Sequence, residues 1–458
     1  MRVTILGTGY VGLTTAVALA HLGHDVRCLD LDAHKVARLS RGECPIFEPG
    51  LEALMRASAP RLRFTTRAAD AIPGAEVVFI TVGTPPLSDG SPDLTQVQSA
   101  AHAIGEHMAT EGAAIVTIVN KSTVPIGSGN LVDTLVREGI AARGRQQGQP
   151  AAHAIASNPE FLREGSALHD TFYPDRVVIG ADHPMAIEML IALYRPILEQ
   201  TFAPPPDLPR PQGFGPVSRV MTDLASAELI KYAANAFLAL KISFINEIGE
   251  LAERVGGDIL QVAEGIGLDR RIGPRFLQPG LGWGGSCFGK DTAALVATAE
   301  EYGLTMPTVQ AAREVNYRQR LRVVSKLLAE LKTLKGRTIG LLGLAFKPQT
   351  DDLRDAPGLD VAKRLIERGA RVKVHDPVAL GRARQEYATI GIEYCDDVAR
   401  VAAGAEALVL VTEWPEYRDL PWETLAASMR GAVLLDARNF LSKERLSAAG
   451  FRILAMGR

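Results

Sequence analysis

One stretch gathers the residue types of covalent catalysis. In GLGWGGSCFGKD, Gly280–Asp291, five glycines surround Cys287, and Lys290 and Asp291 follow it by three and four residues. Glycine lacks a Cβ, so such a loop can adopt positive φ and bring its backbone close to a ligand. A thiol there can attack an electrophilic carbon, with backbone N–H groups placed to stabilise an oxyanion. Lys290 is near enough in sequence to favour the thiolate, and Asp291 to position a water or an ammonium group. A mobile glycine loop with an incidental cysteine is the plainer alternative, and the stretch alone does not separate the two. Cys28 falls in an expected strand and Cys395 near another, as core fillers. Cys44, beside Pro45, is the only rival nucleophile, and no lysine or histidine flanks it.

A second centre of chemistry lies at the start of the chain. An apolar run, Arg2–Leu6, ends at GTGYVG, Gly7–Gly12; an amphipathic helix is expected over Val11–Leu22 and a strand over Asp25–Leu31. In that order G-x-G-x-x-G has a mechanism: Gly7 makes the tight turn, Gly9 admits a pyrophosphate and Gly12 lets helix and strand pack. The pyrophosphate would sit on the free N–H groups of the helix N-terminus. Asp30, at the end of the second strand, would take the ribose hydroxyls, which selects NAD because a carboxylate repels the extra phosphate of NADP. Strands follow near Val77–Thr81, Ala114–Val119, Ala152–Ser157 and Arg176–Ile179, with helical patterns such as Leu94–Met108 between them. Such alternation predicts parallel strands with crossovers. The loops after these strands carry Thr123, Glu160 and Glu164, which singly would more often be caps or surface groups.

Arg143–Pro150 and Ala203–Pro216 are rich in Pro, Gly, Gln and Arg and are expected to be exposed insertions. A long helix follows, about Leu224–Glu253, with Ile230, Ala233, Phe237, Phe244, Ile248 and Leu251 at three- and four-residue spacing. Lys231 and Asn235 share one of its faces; a solvated pair is the default for such residues on a surface helix. A second long helix, about Thr308–Leu334, is expected to stop at Gly336. Long helices in this position suit a linker and a dimer core. The strand–loop–helix pattern then restarts at Arg337–Leu342, with helix Leu359–Arg368 and strands at Arg371–His375, Ala407–Val411, Val433–Leu435 and near Arg452–Leu454. Its first loop lacks the third fingerprint glycine and offers Lys347 and Arg354, cations suited to another nucleotide diphosphate.

The predicted fold is therefore α/β: two Rossmann-like doubly wound sheets joined by a helical central domain with long helices. The expected divisions are 1–216 (NAD-binding), 217–330 (helical, dimer-forming, with the cysteine loop) and 331–458 (nucleotide-sugar-binding). The 458 residues suffice for that many cores. With 47% apolar residues and a net charge of −2, neither disorder, nucleic acid nor anionic lipid is indicated. No apolar run is long enough for a bilayer, and a strand at Arg2 is expected to leave no room for a targeting peptide. Four scattered cysteines without metal-site spacing suggest reduced thiols, a cytoplasmic setting and no metal.

These residues resemble the UDP-glucose/GDP-mannose dehydrogenases, nearly end to end. The resemblance rests on ILGTGYVGL, TVGTPP, KSTVPIGSG, NPEFLREGSAL, SAELIKYAANAFLALKISFINEI, DRRIGPRFLQPGLGWGGSCFGKD, GLAFKPQTDDLRDAPG and DARN. GGSC followed by Phe-Gly-Lys-Asp is similar to the glucose-type members, whereas N-acetylmannosamine-type members usually carry histidine before the cysteine. Trp283 departs from the usual phenylalanine or tyrosine, and the two insertions are also unusual, so nothing functional is carried onto them.

The resemblance implies oxidation of UDP-glucose to UDP-glucuronate with two NAD⁺ and one water, as a precursor for exopolysaccharide. It implies Cys287 as nucleophile, Lys231 and Asn235 at the oxyanion, Asp291 orienting water and holding Lys231, and Glu160 with Thr123 as a base acting through water. Cofactor contacts would be Gly7, Gly9, Tyr10, Val11, Gly12, Asp30, Lys35, Thr84, Thr123, Glu164 and Arg354. Substrate contacts would be Phe161, Leu162, Glu164, Lys231, Asn235, Phe276, Leu277, Gly284, Phe346 and Lys347, with Arg271 crossing from a neighbouring subunit of a homodimer. Alternatives are the same oxidation on UDP-N-acetyl-hexosamine, UDP-galactose or GDP-mannose, or a non-catalytic nucleotide-sugar sensor.

Overall fold

The computed structural model describes residues 1–108, 115–142 and 152–458. The Arg143–Pro150 insertion lies outside the described residues. The chain divides into two compact units, Met1–Ala233 and Ala234–Arg458.

In the first unit the strands are β1 (Arg2–Leu6), β2 (Asp25–Leu29), β3 (Leu62–Thr65), β4 (Val77–Ile80), β5 (Ile115–Asn120), β6 (Ala152–Ser157), β7 (Arg176–Ala181) and β8 (Ser218–Thr222). They form one eight-stranded sheet in the order β3-β2-β1-β4-β5-β6-β7-β8. Its first six strands have the order of a dinucleotide-binding sheet. Register puts Ile5 beside Cys28 on one side and Phe79 on the other. Alternate residues feed two separate cores: Ile5, Cys28, Val77 and Phe79 pack on one face, Leu6, Val78, Ile80 and Ile118 on the other. Helices therefore cover both faces, as buried apolar strands require.

One expectation fails in this sheet. β6 and β7 pair antiparallel, where alternation predicted a parallel crossover. Between them lies a helix of only six residues, Ala167–Phe172. It rises about 9 Å, too little to carry the chain back along β6, so β7 starts from the end where β6 stops. Ala203–Pro216 also differs from a plain exposed insertion. It has no helix or strand, yet Leu208 and Phe214 pack on the first core, the Tyr173 hydroxyl donates to Leu208 O at 2.9 Å, and Arg210 donates to Gln200 and Phe202.

The second unit repeats the strand order. β9 (Thr338–Leu342), β10 (Arg371–His375), β11 (Ile392–Tyr394), β12 (Ala407–Leu410), β13 (Val433–Asp436) and β14 (Arg452–Ala455) form an all-parallel sheet ordered β11-β10-β9-β12-β13-β14. β11 has three residues, too few for a periodic signal. The helix Pro307–Leu331 ends at Lys332, which takes the left-handed φ of 64° itself; Gly336 instead opens the turn into β9, donating to Gly369 O at 2.8 Å.

The helix Leu224–Val255 runs 32 residues, and the boundary between the units falls inside it. Of its expected apolar stripe Ile248 packs on a core, but most of the rest does not. Phe237, Phe244 and Leu251 are 62%, 48% and 57% exposed, while Glu228, Lys231, Asn235 and Asn246 are buried. No helix among the described residues is long and apolar enough to cross a membrane.

Candidate active site

The first unit builds a dinucleotide cradle at the carboxyl end of β1. Gly7 has φ +95° and lies against Thr81 O, and a Cβ on Gly12 would come within 1.9 Å of Gly7 O, so both positions exclude any other residue. Gly9 differs: nothing lies within 4 Å of where its Cβ would be, and it caps the helix Tyr10–His21. That open space before the helix N-terminus fits a pyrophosphate. Val11, half-buried in the first turn, borders it. Asp30 accepts from Thr8 N at 2.9 Å, Thr8 Oγ1 at 2.5 Å, Asp32 N at 3.0 Å and Lys35 Nζ at 2.9 Å. Burial raises its pKa, but hydrogen bonds from Thr8, Asp32 and Lys35 outweigh that and hold it below the usual carboxylate range. Thr8 was not legible as a partner: it is the variable position of the fingerprint. Thr84 Oγ1 donates to Thr123 O at 2.8 Å, tying two strand-end loops together. The Tyr10 hydroxyl donates to Phe47 O.

Beside the cradle, Glu160 and Lys231 form a buried ion pair. Lys231 Nζ donates to Glu160 Oε1 at 2.8 Å and to its carbonyl at 2.6 Å; the two side chains are 5% and 8% exposed. Leu162 N fixes the other carboxylate oxygen at 3.0 Å. Phe161 has two cations against its ring, Arg176 at 3.8 Å and Lys231 at 5.5 Å. Glu164 sits half-buried in the same loop, which Glu48 anchors by accepting Gly165 N and Ala167 N. One turn before Lys231, the buried Glu228 accepts Gly127 N at 2.6 Å and Gly129 N at 2.9 Å. It thereby fixes the loop that follows Thr123. The expected solvated Lys/Asn face on this helix is thus a buried one, and it includes a carboxylate that periodicity gave no reason to single out.

In the second unit Cys287 is exposed and caps the helix Phe288–Glu301. Partial positive charge at a helix N-terminus favours an anion there. Its sulfur is 3.6 Å from Ser286 Oγ. Asp291, fully buried, accepts Asn235 Nδ2 at 2.6 Å and Lys290 Nζ at 2.7 Å. Cys44 is a poor rival: burial raises its thiol pKa, and the thiol donates to Ile46 O. Cys28 and Cys395 are buried, as expected of core fillers.

The glycine loop is held from beneath by residues the sequence did not single out. Asn316 clamps the Trp283 peptide, accepting its N–H at 2.7 Å and donating to its carbonyl at 3.0 Å. Arg320 reaches the same carbonyl at 3.0 Å and Asp355 at 2.7 Å. Arg438, in DARN, donates to Gly282 O at 3.0 Å and Phe346 O at 3.3 Å, joining the cysteine loop to the loop after β9. Asn316 and Arg320 were unremarkable polar positions on a helix, and Arg438 stood in the DARN motif with no role assigned to it. Phe346 packs on Gly285, and a Cβ on Gly284 would lie 2.4 Å from Asp355 O, so Gly284 serves close packing of backbone. Lys347 Nζ lies 5.5 Å from the Phe346 ring. The Leu277 side chain belongs to a core with Ile245 and Ile259, whereas Phe276 has a positive φ of 65° and meets Phe288 at 6.3 Å. Arg271, 89% exposed, pairs with Asp269 at 2.6 Å, and Arg354 pairs with Asp352 at 2.8 Å.

Comparison with known proteins bears on the chain as a whole. Residues 1–198, 225–318 and 340–443 match the NAD binding, central and UDP binding domains of the UDP-glucose/GDP-mannose dehydrogenase family. The chain is 42% identical over 461 residues to the UDP-glucose 6-dehydrogenase TuaD of Bacillus subtilis, covering 100% of this chain and 93% of that protein. It is 43% identical over 467 residues to the UDP-glucose 6-dehydrogenase of Pseudomonas aeruginosa, covering 100% and 98%. A solved UDP-glucose dehydrogenase from Pyrobaculum islandicum superposes with a TM-score of 0.88 at 40% identity, covering 100% and 97%.

Proposed function

The chain belongs to the UDP-glucose/GDP-mannose dehydrogenase family, and we propose that it oxidises UDP-glucose to UDP-glucuronate through a covalent intermediate on Cys287. The observation that carries this reading is the cysteine at a helix N-terminus beside the buried Asn235–Asp291–Lys290 cluster. A nucleotide-sugar sensor would need neither nucleophile nor buried acid. Gly7, Gly9, Tyr10, Val11, Gly12, Asp30, Lys35, Thr84, Thr123, Glu164 and Arg354 are proposed to hold NAD⁺, which when bound supplies the hydride acceptor for both oxidations. The open space at Gly9 supports that fit.

The residues divide the labour as follows. Once the C6 alcohol has become an aldehyde, the Cys287 thiolate adds to it and forms a thiohemiacetal. Oxidation of that adduct leaves a thioester, and water breaks the C–S bond, releasing the carboxylate and the thiol. Lys231 and Asn235, one turn apart on a helix, stabilise negative charge on the C6 oxygen. Glu160 takes protons through a water anchored by Thr123, and Asp291 orients the hydrolytic water. Phe161, Leu162, Glu164, Phe276, Leu277 (through its backbone), Gly284, Phe346 and Lys347 line the sugar and diphosphate, and Arg271 comes from a second copy. The product would feed polysaccharide synthesis. The three-part division at 1–216, 217–330 and 331–458 is kept as a proposal, with the spans of the family matches in support.

Cys287→Ser tests the covalent route. The variant is expected to lose net four-electron turnover of UDP-glucose, by about a thousand-fold or more, while binding NAD⁺ and UDP-glucose by calorimetry as the parent does. Unchanged NADH production would sink the mechanism.

A further inference from the structure

Lys121, the lysine of KSTVPIGSG, has no part in the chemistry above, yet its half-buried side chain is bonded to the turn that leads into Glu160. Its Nζ donates to Asn158 Oδ1 at 2.9 Å and to Asn158 O at 3.4 Å, and it lies 5.9 Å from the Tyr194 ring. The Tyr194 hydroxyl donates to the same Asn158 oxygen at 2.8 Å, and Asn158 Nδ2 donates to Val178 O at 2.7 Å. The ammonium is therefore locked to the turn that carries Glu160 two residues later. A cavity of about 70 Å³ lies there, lined by Lys121, Asn158, Glu160, Phe161 and Tyr194 among others. A recess of about 10 Å³ joins Lys121 to Thr123, Glu228 and Lys231. Lys121 thus shares the cavity with Glu160 and the recess with Lys231.

Charge counting gives this a consequence. Glu160 neutralises Lys231 in the structure. If Lys231 must also stabilise an oxyanion, the carboxylate is left without a cation, and a buried unpaired charge is expensive. With Lys121 present, two cations face the Glu160 carboxylate, and Glu228, its carboxyl pushed up to about 7, adds a second negative charge only as pH rises through that value; below it one positive charge is in surplus where low dielectric strengthens it. We propose that Lys121 is a positioning residue, the second counter-charge of Glu160, which releases the charge of Lys231 for the oxyanion. This rests on the reaction proposed above.

The other groups around Lys121 are accounted for. Glu160 faces it from the loop after β6, Lys231 and Glu228 from the long helix, and Tyr194 from the helix Pro184–Glu199. Asp170, from the short helix before β7, is engaged by Arg163 at 2.7 Å, and Arg176 from β7 stacks on Phe161. Burial pushes the Lys121 ammonium down to about 8, with Glu160 opposing and Lys231 adding to the fall. Its charge is present below that pH and lost above it.

The test uses the full chain with Lys121→Met and Lys121→Arg, NAD⁺ and UDP-glucose. Lys121→Met is expected to lower kcat about tenfold or more, with both KM values within about threefold. Parent kcat should fall as pH rises through about 8, a limb absent in Lys121→Met. Lys121→Arg, which stays charged, should restore most of kcat and remove that limb. The proposal is overturned if Lys121→Met keeps both kcat and the limb, or if Lys121→Arg is as impaired as Lys121→Met, since either result leaves only packing. A parent protein that forms no NADH from UDP-glucose would instead overturn the reaction itself, and it is read before any variant.

Discussion

Glu228 shows what one buried side chain demands. Burial pushes its carboxyl from 4.5 up to about 7, despite hydrogen bonds from the amides of Gly127, Gly129 and Ser128. The folded state therefore binds this proton more tightly than the unfolded chain does. Between about pH 4.5 and 7 the native protein carries the extra proton, so this contribution to stability falls as pH rises and is fully lost above the folded value. Melting temperature measured against pH should show that decline, and Glu228→Gln should flatten it. An identical slope in parent and variant would mean that Glu228 is not the group responsible. The first-unit nucleotide residues were largely legible, because G-x-G-x-x-G and an acid after the next strand are local patterns with a local mechanism. Glu228, Asn316 and Arg438 were not, because their partners lie far away in sequence and nothing in their neighbours reveals burial.

The long helix Leu224–Val255 makes the corresponding point for an element. Period alone placed it correctly and identified an apolar stripe, but period cannot say whether a stripe faces a core or solvent. Phe237, Phe244 and Leu251 repeat every seven residues and are about half exposed, the spacing of a helix that packs on another helix. We propose that a second copy covers them. Full burial of such a side chain contributes about 1.5–3 kcal/mol. With half of each already covered, six from two copies supply about 5–9 kcal/mol, at the lower end of the about 4–15 kcal/mol that association costs. The exposed Leu229 and Val255 add to it. Phe244→Asp is therefore expected to shift the protein to monomers in sedimentation velocity while its circular dichroism stays that of the parent. A dimer as tight as the parent's would remove this helix from the interface. The antiparallel β7 and the three-residue β11 were beyond reach for a related reason: strand direction depends on how far a connection can travel, and short strands carry too few alternations to read.

At the scale of the whole molecule, two sheets that share one order over six strands carry different loops after their first strands. The first unit has the glycine cradle and Asp30, the second has Phe346, Lys347 and the Arg438 turn, and the cysteine loop belongs to the second. Repetition of the α/β pattern made that duplication legible. By holding the aldehyde, Cys287 is proposed to extend a two-electron alcohol oxidation to a four-electron one. The most direct measurement is NADH formed per UDP-glucose consumed, with purified protein, excess NAD⁺ and product identified by mass. Two NADH per sugar, with UDP-glucuronate as product, is the predicted result. One per sugar, with aldehyde released, would contradict it.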